Sequence, residues 1–135
     1  ILKEVIEDSF NEFWNFIKNL IDIWEKNLTN DKVIKKVIRD FIEYPETSKN
    51  LFSIINQNWY CDNPEIIKII EKKEKIIFEN ISDKFNNVLN FSNEKTFLFM
   101  SVMHDIWRKK CIYWECKIDI EKIIDELYNI FFKKD

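Results

Sequence analysis

No glycine and no alanine occur anywhere in the 135-residue chain, and its only prolines are Pro45 and Pro64. Glycine takes φ > 0, or lets another backbone come close, at no steric cost. Phosphate-cradling loops, the dinucleotide fingerprint and the nucleophile elbow all rest on such positions. None of them can be present. Tight two-residue hairpins lean on Asn-Gly, Asp-Gly or Gly-Gly, so a hairpin-rich sheet is not expected. The chain is left with helices, and its function has to come from a pocket or a surface.

The length suits a single domain over residues 1–135 with one core. Apolar residues make up 46% of the chain and charged residues 33%, the balance of a folded, soluble protein. No run of about 18 apolar residues occurs, so no membrane span is expected. The first residues lack the charged, apolar, small-residue order of a signal peptide, and a cytoplasmic location is expected. The sequence starts at Ile1 rather than Met, which leads us to expect further sequence upstream. The net charge is −3, and the basic groups (Lys72-Lys73, Arg108-Lys109-Lys110, Lys133-Lys134) are interleaved with acids. Neutralising phosphates takes a concentrated basic surface, so the chain by itself is a poor nucleic-acid binder. Cys61, Cys111 and Cys116 are odd in number and lack CxxC spacing. Reduced thiols are expected, with no zinc site and no cofactor.

Hydrophobic periodicity divides the chain into five to six helices. Residues 1–27 form the first, its stripe of Leu2, Ile6, Phe10, Phe13, Ile17, Leu20, Ile21 and Trp24 following the i, i+3/i+4, i+7 rhythm. Residues 31–43 follow, burying Val33, Ile34, Val37, Ile38, Phe41 and Ile42, and Tyr44-Pro45 ends them because the residue before Pro avoids the α region. Thr47 or Ser48 starts a short helix toward Trp59. Asn63-Pro64-Glu65 is a strong start signal for a long helix to about Asn90. Residues 94–114 read as apolar on two faces. One carries Phe97, Met100, His104, Trp107, Cys111 and Trp114; the other carries Phe99, Val102, Met103, Ile106 and Tyr113. Such a helix is expected to be buried on both sides, one of them against a partner subunit. Asp119 caps a last helix with Ile120, Ile123, Ile124, Leu127, Tyr128 and Phe131 on one face.

This order of helices resembles the C-terminal regulatory domain of TetR-family transcriptional repressors. The segment ILKEVIEDSFNEFWNFIKNL is similar to the long helix that follows the DNA-binding head. VIKKVIRDFIEYPETSKNLFSIINQNW resembles the next two helices, and NPEIIKIIEKKEKIIFENISDKFNNVL the long one after them. NEKTFLFMSVMHDIW and DIEKIIDELYNIFF resemble the last two. The resemblance implies an all-α antiparallel bundle whose last two helices pack on their twins as a four-helix dimer interface. Phe99, Ile106, Tyr113, Ile123, Leu127, Tyr128 and Phe131 would supply that interface. It also implies a ligand-sensing domain of a repressor, with DNA reached through an N-terminal head that this chain does not contain. A looser similarity, through Trp59, Glu71-Lys72-Lys73-Glu74, Phe85 and Trp107, links the chain to the PHIST class of exported parasite proteins, and with it to a helical protein–protein interaction module of a parasite or virus.

The candidate effector-binding residues are Trp14, Trp59, Tyr60, Phe78, Met100, Met103, His104 and Trp107. A ligand pocket is apolar with a few directed polar groups, which indole, phenol and imidazole supply. Each aromatic also reads as ordinary core packing, and His104 as a core histidine satisfied by a neighbour. A small, mainly apolar effector would enter between the helices at 1–27, 64–90 and 94–114 and shift the tilt of the first. Enzyme chemistry is not expected. One histidine and no oxyanion loop leave no catalytic triad, and the acid pairs Asp8/Glu12 and Asp125/Glu126 fall on polar faces.

Overall fold

The computed structural model describes residues 2–44, 63–113 and 119–133, with the side chains of 2–3 and 110–113 left aside. Among the described residues there are five helices and no strand: α1 (Leu2–Lys26), α2 (Asp31–Ile42), α3 (Pro64–Lys84), α4 (Asn93–Tyr113) and α5 (Ile120–Phe131). The all-α bundle read from the sequence is the fold. The short helix expected between Thr47 and Trp59 lies outside the described residues, as do Trp59 and Tyr60.

The helix starts are built from side chains that accept the orphan N–H groups of the first turn. Asn30 accepts from Val33 N at 3.3 Å, Asn63 from Glu65 N at 3.1 Å, Ser92 from Lys95 N at 3.1 Å and Asp119 from Glu121 N at 3.0 Å. Pro64 occupies the first turn of α3, where a missing N–H costs nothing. Among the described residues the lack of glycine is met at one place. After α3 the backbone widens into a π turn, Phe85–Leu89, and Asn90 closes it at φ 58°. Asparagine tolerates this left-handed region better than other residues with a Cβ.

α1 packs on α2, α3 and the π turn. α2 runs back along it, so that Trp24 donates to the Ile34 carbonyl at 3.3 Å near one end, while Phe13 meets Tyr44 at 5.3 Å near the other. α3 lies alongside α1 in the same direction, and Asp22 pairs with Lys84 at 3.0 Å where their C-terminal ends meet. α4 crosses back against both. Trp24 stacks on Phe41 with centroids 5.0 Å apart, and Phe85 and Phe99 each meet it edge-on at 5.9 Å. Phe13 and Trp107 form a second node at 5.6 Å. Each such pair adds about 0.5–1.5 kcal/mol beyond area burial, so the aromatic excess is in large part a core.

α5 lies antiparallel on α2, and three polar rungs set their register. Tyr128 donates to Asp31 at 2.5 Å, Lys35 reaches Asp125 at 3.1 Å, and Arg39 pairs with Glu121. All three rungs are made together in this alignment.

α4 departs from the reading that both its sides are buried. Its buried face is Thr96, Phe99, Met100, Met103 and Trp107, which straddles the two expected faces. Phe97, Leu98 and Val102 are left 57%, 56% and 38% exposed. The 100° step of a helix explains this: one neighbour layer covers a single arc, and the chain places apolar residues on more than one arc.

Candidate functional site

The predicted effector-binding residues divide by place. Met100, Met103 and Trp107 are buried, and Trp14 and Phe78 are half-buried against the core. His104 is exposed. The indole of Trp107 is turned inward, donating to the Phe41 carbonyl at 2.5 Å.

What the structure does bring together is a seam between α3 and α4. Phe78 meets Phe97 edge-on at 6.1 Å and closes one end of it. Helix rise is about 1.5 Å per residue, and the two helices are antiparallel. Glu74, four residues before Phe78, therefore sits about 6 Å along the seam from that contact, and His104, seven after Phe97, about 10 Å along in the same direction. Met100 lies between Phe97 and His104 on α4 and is buried.

Glu74 and His104 share an unusual combination. Each is exposed to solvent, yet each is surrounded by enough protein to be desolvated. Burial raises the Glu74 carboxyl above the usual carboxylate range, and the neighbouring Glu71 raises it further. Burial lowers the His104 imidazole below its ordinary value, Arg108 lowers it further, and Asp105 opposes both.

Glu74 is the residue that sequence reading passed over. Its signal was present: Ile70, Glu74, Ile77 and Ile81 form one i, i+4, i+7, i+11 stripe. The three isoleucines are buried. Glu74 thus falls on the stripe of α3 that its isoleucines bury, and is itself exposed.

The residues assigned to a dimer interface also divide. Phe99, Leu127 and Phe131 are buried inside the chain, where they meet one another and their neighbours; Phe99 and Phe131, for example, are 5.2 Å apart. Their apolar area is already used within the chain. Ile106, Ile123 and Tyr128 are half-buried, and the hydroxyl of Tyr128 is taken by Asp31. The Tyr113 side chain lies outside the described set. The exposed large apolar groups of these two helices are Phe97, Leu98 and Val102 on α4 and Ile130, 65% exposed, on α5; Val5 and Ile23 on α1, Leu28 just after it and Ile76 on α3 are exposed as well. Ile123 and Ile130 lie on the flank of α5 that faces away from the seam with α2.

Among the described residues no three His, Cys, Asp or Glu side chains converge as a metal site, and no helix is long and apolar enough to cross a membrane. No protein-family model matches the chain, and neither a curated protein nor a solved structure shows significant similarity to it.

Proposed function

We propose that this chain is the effector-sensing, dimerising regulatory domain of a TetR-like repressor. One observation carries the reading. The last two helices close a core beneath them and still present apolar side chains outward, at Leu98, Val102 and Ile130 with Ile106 and Ile123 beside them. Hydrophobic area that a monomer leaves exposed marks an interaction surface. A second copy covering the same helices would bury it symmetrically.

The effector, a small and mainly apolar molecule, enters between α1, α3 and α4. α1 is the output element: it packs on α2, α3 and the π turn along its length, so a change in the α3–α4 spacing tilts it. Through a DNA-binding head joined ahead of α1, that tilt would alter the spacing of two heads on an operator. The effector acts by binding one tilt more tightly than the other.

Native mass spectrometry of the purified chain tests the reading. A dimer is expected, with an added small-molecule mass after incubation with an apolar effector library. A monomer at micromolar concentration overturns the dimer. It would leave the exposed α4 face to a different protein, which is the helical interaction-module reading.

A further inference from the structure

The outward face of α1 and α3 carries charges that change sign along both helices. The two helices pack side by side, and the pair Asp22–Lys84 at 3.0 Å fixes their level. A residue of α1 therefore stands level with the α3 residue about 62 positions later. Toward the N-terminal ends, α1 presents Glu4, Asp8 and Glu12, and α3 presents Lys68, Lys72 and Lys75 at the matching levels. Toward the C-terminal ends the signs are exchanged, with Lys18 and Lys26 on α1 and Glu79 and Asp83 on α3. All are exposed except the half-buried Lys18, and among the described residues none takes part in an ion pair or hydrogen bond.

Helical phase places these side chains on one surface. At about 100° per residue, Lys68, Lys72 and Lys75 fall within roughly 60° of one another, on the side of α3 opposite the buried Ile70 and Ile77. Glu4, Asp8 and Glu12 fall within about 80°, opposite the buried Ile6 and Ile17 of α1. Glu71 and Glu74 alternate with the lysines in sequence but turn about 60° or more away, to the flank where Phe78 meets Phe97. Lys73, half-buried, turns to the opposite flank, toward α1. Glu65, in the first turn of α3, departs from the pattern. Ile76, 44% exposed, stands at the edge of this face beside α1.

The alternation says what kind of partner fits. A polyanion would meet the acids of α1, and a polycation the lysines of α3. An apolar partner would cover every charge without pairing it. A surface with the same alternation reversed matches all four sets, and a second copy of this chain presents one. A two-fold axis parallel to the helices lays α1 of each copy on α3 of the other and keeps the levels. Glu4, Asp8 and Glu12 then face Lys68, Lys72 and Lys75, and Lys18 and Lys26 face Glu79 and Asp83, each set twice over. We propose that the α1–α3 face is a self-association surface in which two copies pair in this way. It is separate from the outward groups of α4 and α5 and does not rest on the effector-sensing reading. Exposed ion pairs are individually weak and are screened by salt. The association is therefore expected at low ionic strength and at concentrations well above micromolar.

Sedimentation equilibrium on the whole chain tests the proposal, in a Leu98→Glu background that takes the α4 face out of the reading. The runs use hundreds of micromolar protein at about 20 mM and about 500 mM salt, either side of strong screening. Dimers should form at low salt and dissociate at high salt. Asp8→Lys and Lys72→Glu each set like charges face to face and should each weaken the low-salt association at least about fivefold. Together in one chain they restore opposite charges, and the association should return to within about twofold of the background. Circular dichroism confirms that each variant stays helical. A background chain that stays monomeric at low salt, an association that salt does not weaken, or a double variant no tighter than the single ones overturns the proposal. Each of these results leaves the α4–α5 dimer reading as it was.

Discussion

Trp107 on α4 donates its indole N–H to the main-chain carbonyl of Phe41, 66 residues away in sequence, at 2.5 Å. Phe41 lies in the last turn of α2, where carbonyls lack the N–H of a following turn. The bond therefore closes a helix end inside the core and ties α4 to α2. Trp107→Phe keeps the ring in place and removes the donor. A buried carbonyl without its partner costs about 1–3 kcal/mol. Urea unfolding should show the midpoint falling by that equivalent with an unchanged slope. An unchanged midpoint would mean that the carbonyl finds another donor.

Much of this core was legible in the sequence, because a helix that buries one stripe writes that stripe at fixed spacing. The α1 stripe from Ile6 to Trp24 and the α2 set from Ile34 to Ile42 are buried as their periodicity requires. α4 was not legible in the same way. Its apolar residues cover most of the circumference, and periodicity cannot say which arc a single chain covers. Phe99 and Phe97 look alike in a sequence, yet one is fully buried and the other is more than half exposed. Glu74 escaped for the opposite reason. A charge reads as surface, and only the three buried isoleucines that share its stripe place it on the packed face of α3. The rungs between α2 and α5 join residues about 80 to 97 positions apart, a pairing that no local pattern encodes.

That seam should contribute specificity more than stability. Lys35 and Asp125 are 39% and 59% exposed at their side chains, and exposed pairs are worth about 0.2–1 kcal/mol. The buried Ile124, Leu127 and Phe131 hold α5 far more strongly. A double-mutant cycle with Lys35→Ala and Asp125→Ala should give a coupling within that range, shrinking in high salt. A coupling well above about 1 kcal/mol, or one indifferent to salt, would show that the pair is dry and that its exposure is misjudged.

Glu74 and His104 respond to pH in opposite senses. Glu74 has a raised folded-state pKa, first through desolvation and then through Glu71. The folded state thus holds its proton more tightly than the unfolded chain, and this group adds stability as pH falls through that raised value. His104 has a lowered folded-state pKa, so its contribution is lost as pH falls below the ordinary 6.5, where the unfolded chain takes up the proton first. Both side chains are exposed, so each effect is screened to a few tenths of a kcal/mol, or roughly 1–2 °C. Thermal melts from pH 4 to 8 should show His104→Gln flattening the loss below pH 6.5. Glu74→Gln should melt slightly higher than the parent at pH 7, with the difference gone near pH 4. The reverse signs would place these groups on ordinary solvated surface.

Leu98 and Phe99 are adjacent in sequence and should fail in different ways when changed. Leu98 is 56% exposed and Phe99 is fully buried. Phe99→Ala opens a cavity among Trp24, Phe41, Phe85 and Phe131 and should cost about 3–5 kcal/mol of folding stability. Leu98→Glu removes little from the core, and surface changes of this kind usually stay within about 0.5 kcal/mol. It should instead abolish self-association, because two copies facing each other across a two-fold axis would each bring the new charge to the same apolar surface. Ile130→Glu on α5 should act likewise. Sedimentation velocity on the three variants separates the cases. The two glutamate variants should sediment as folded monomers where the parent sediments as a dimer. A parent that is already monomeric, or glutamate variants that remain dimers, would remove this face from the proposed interface.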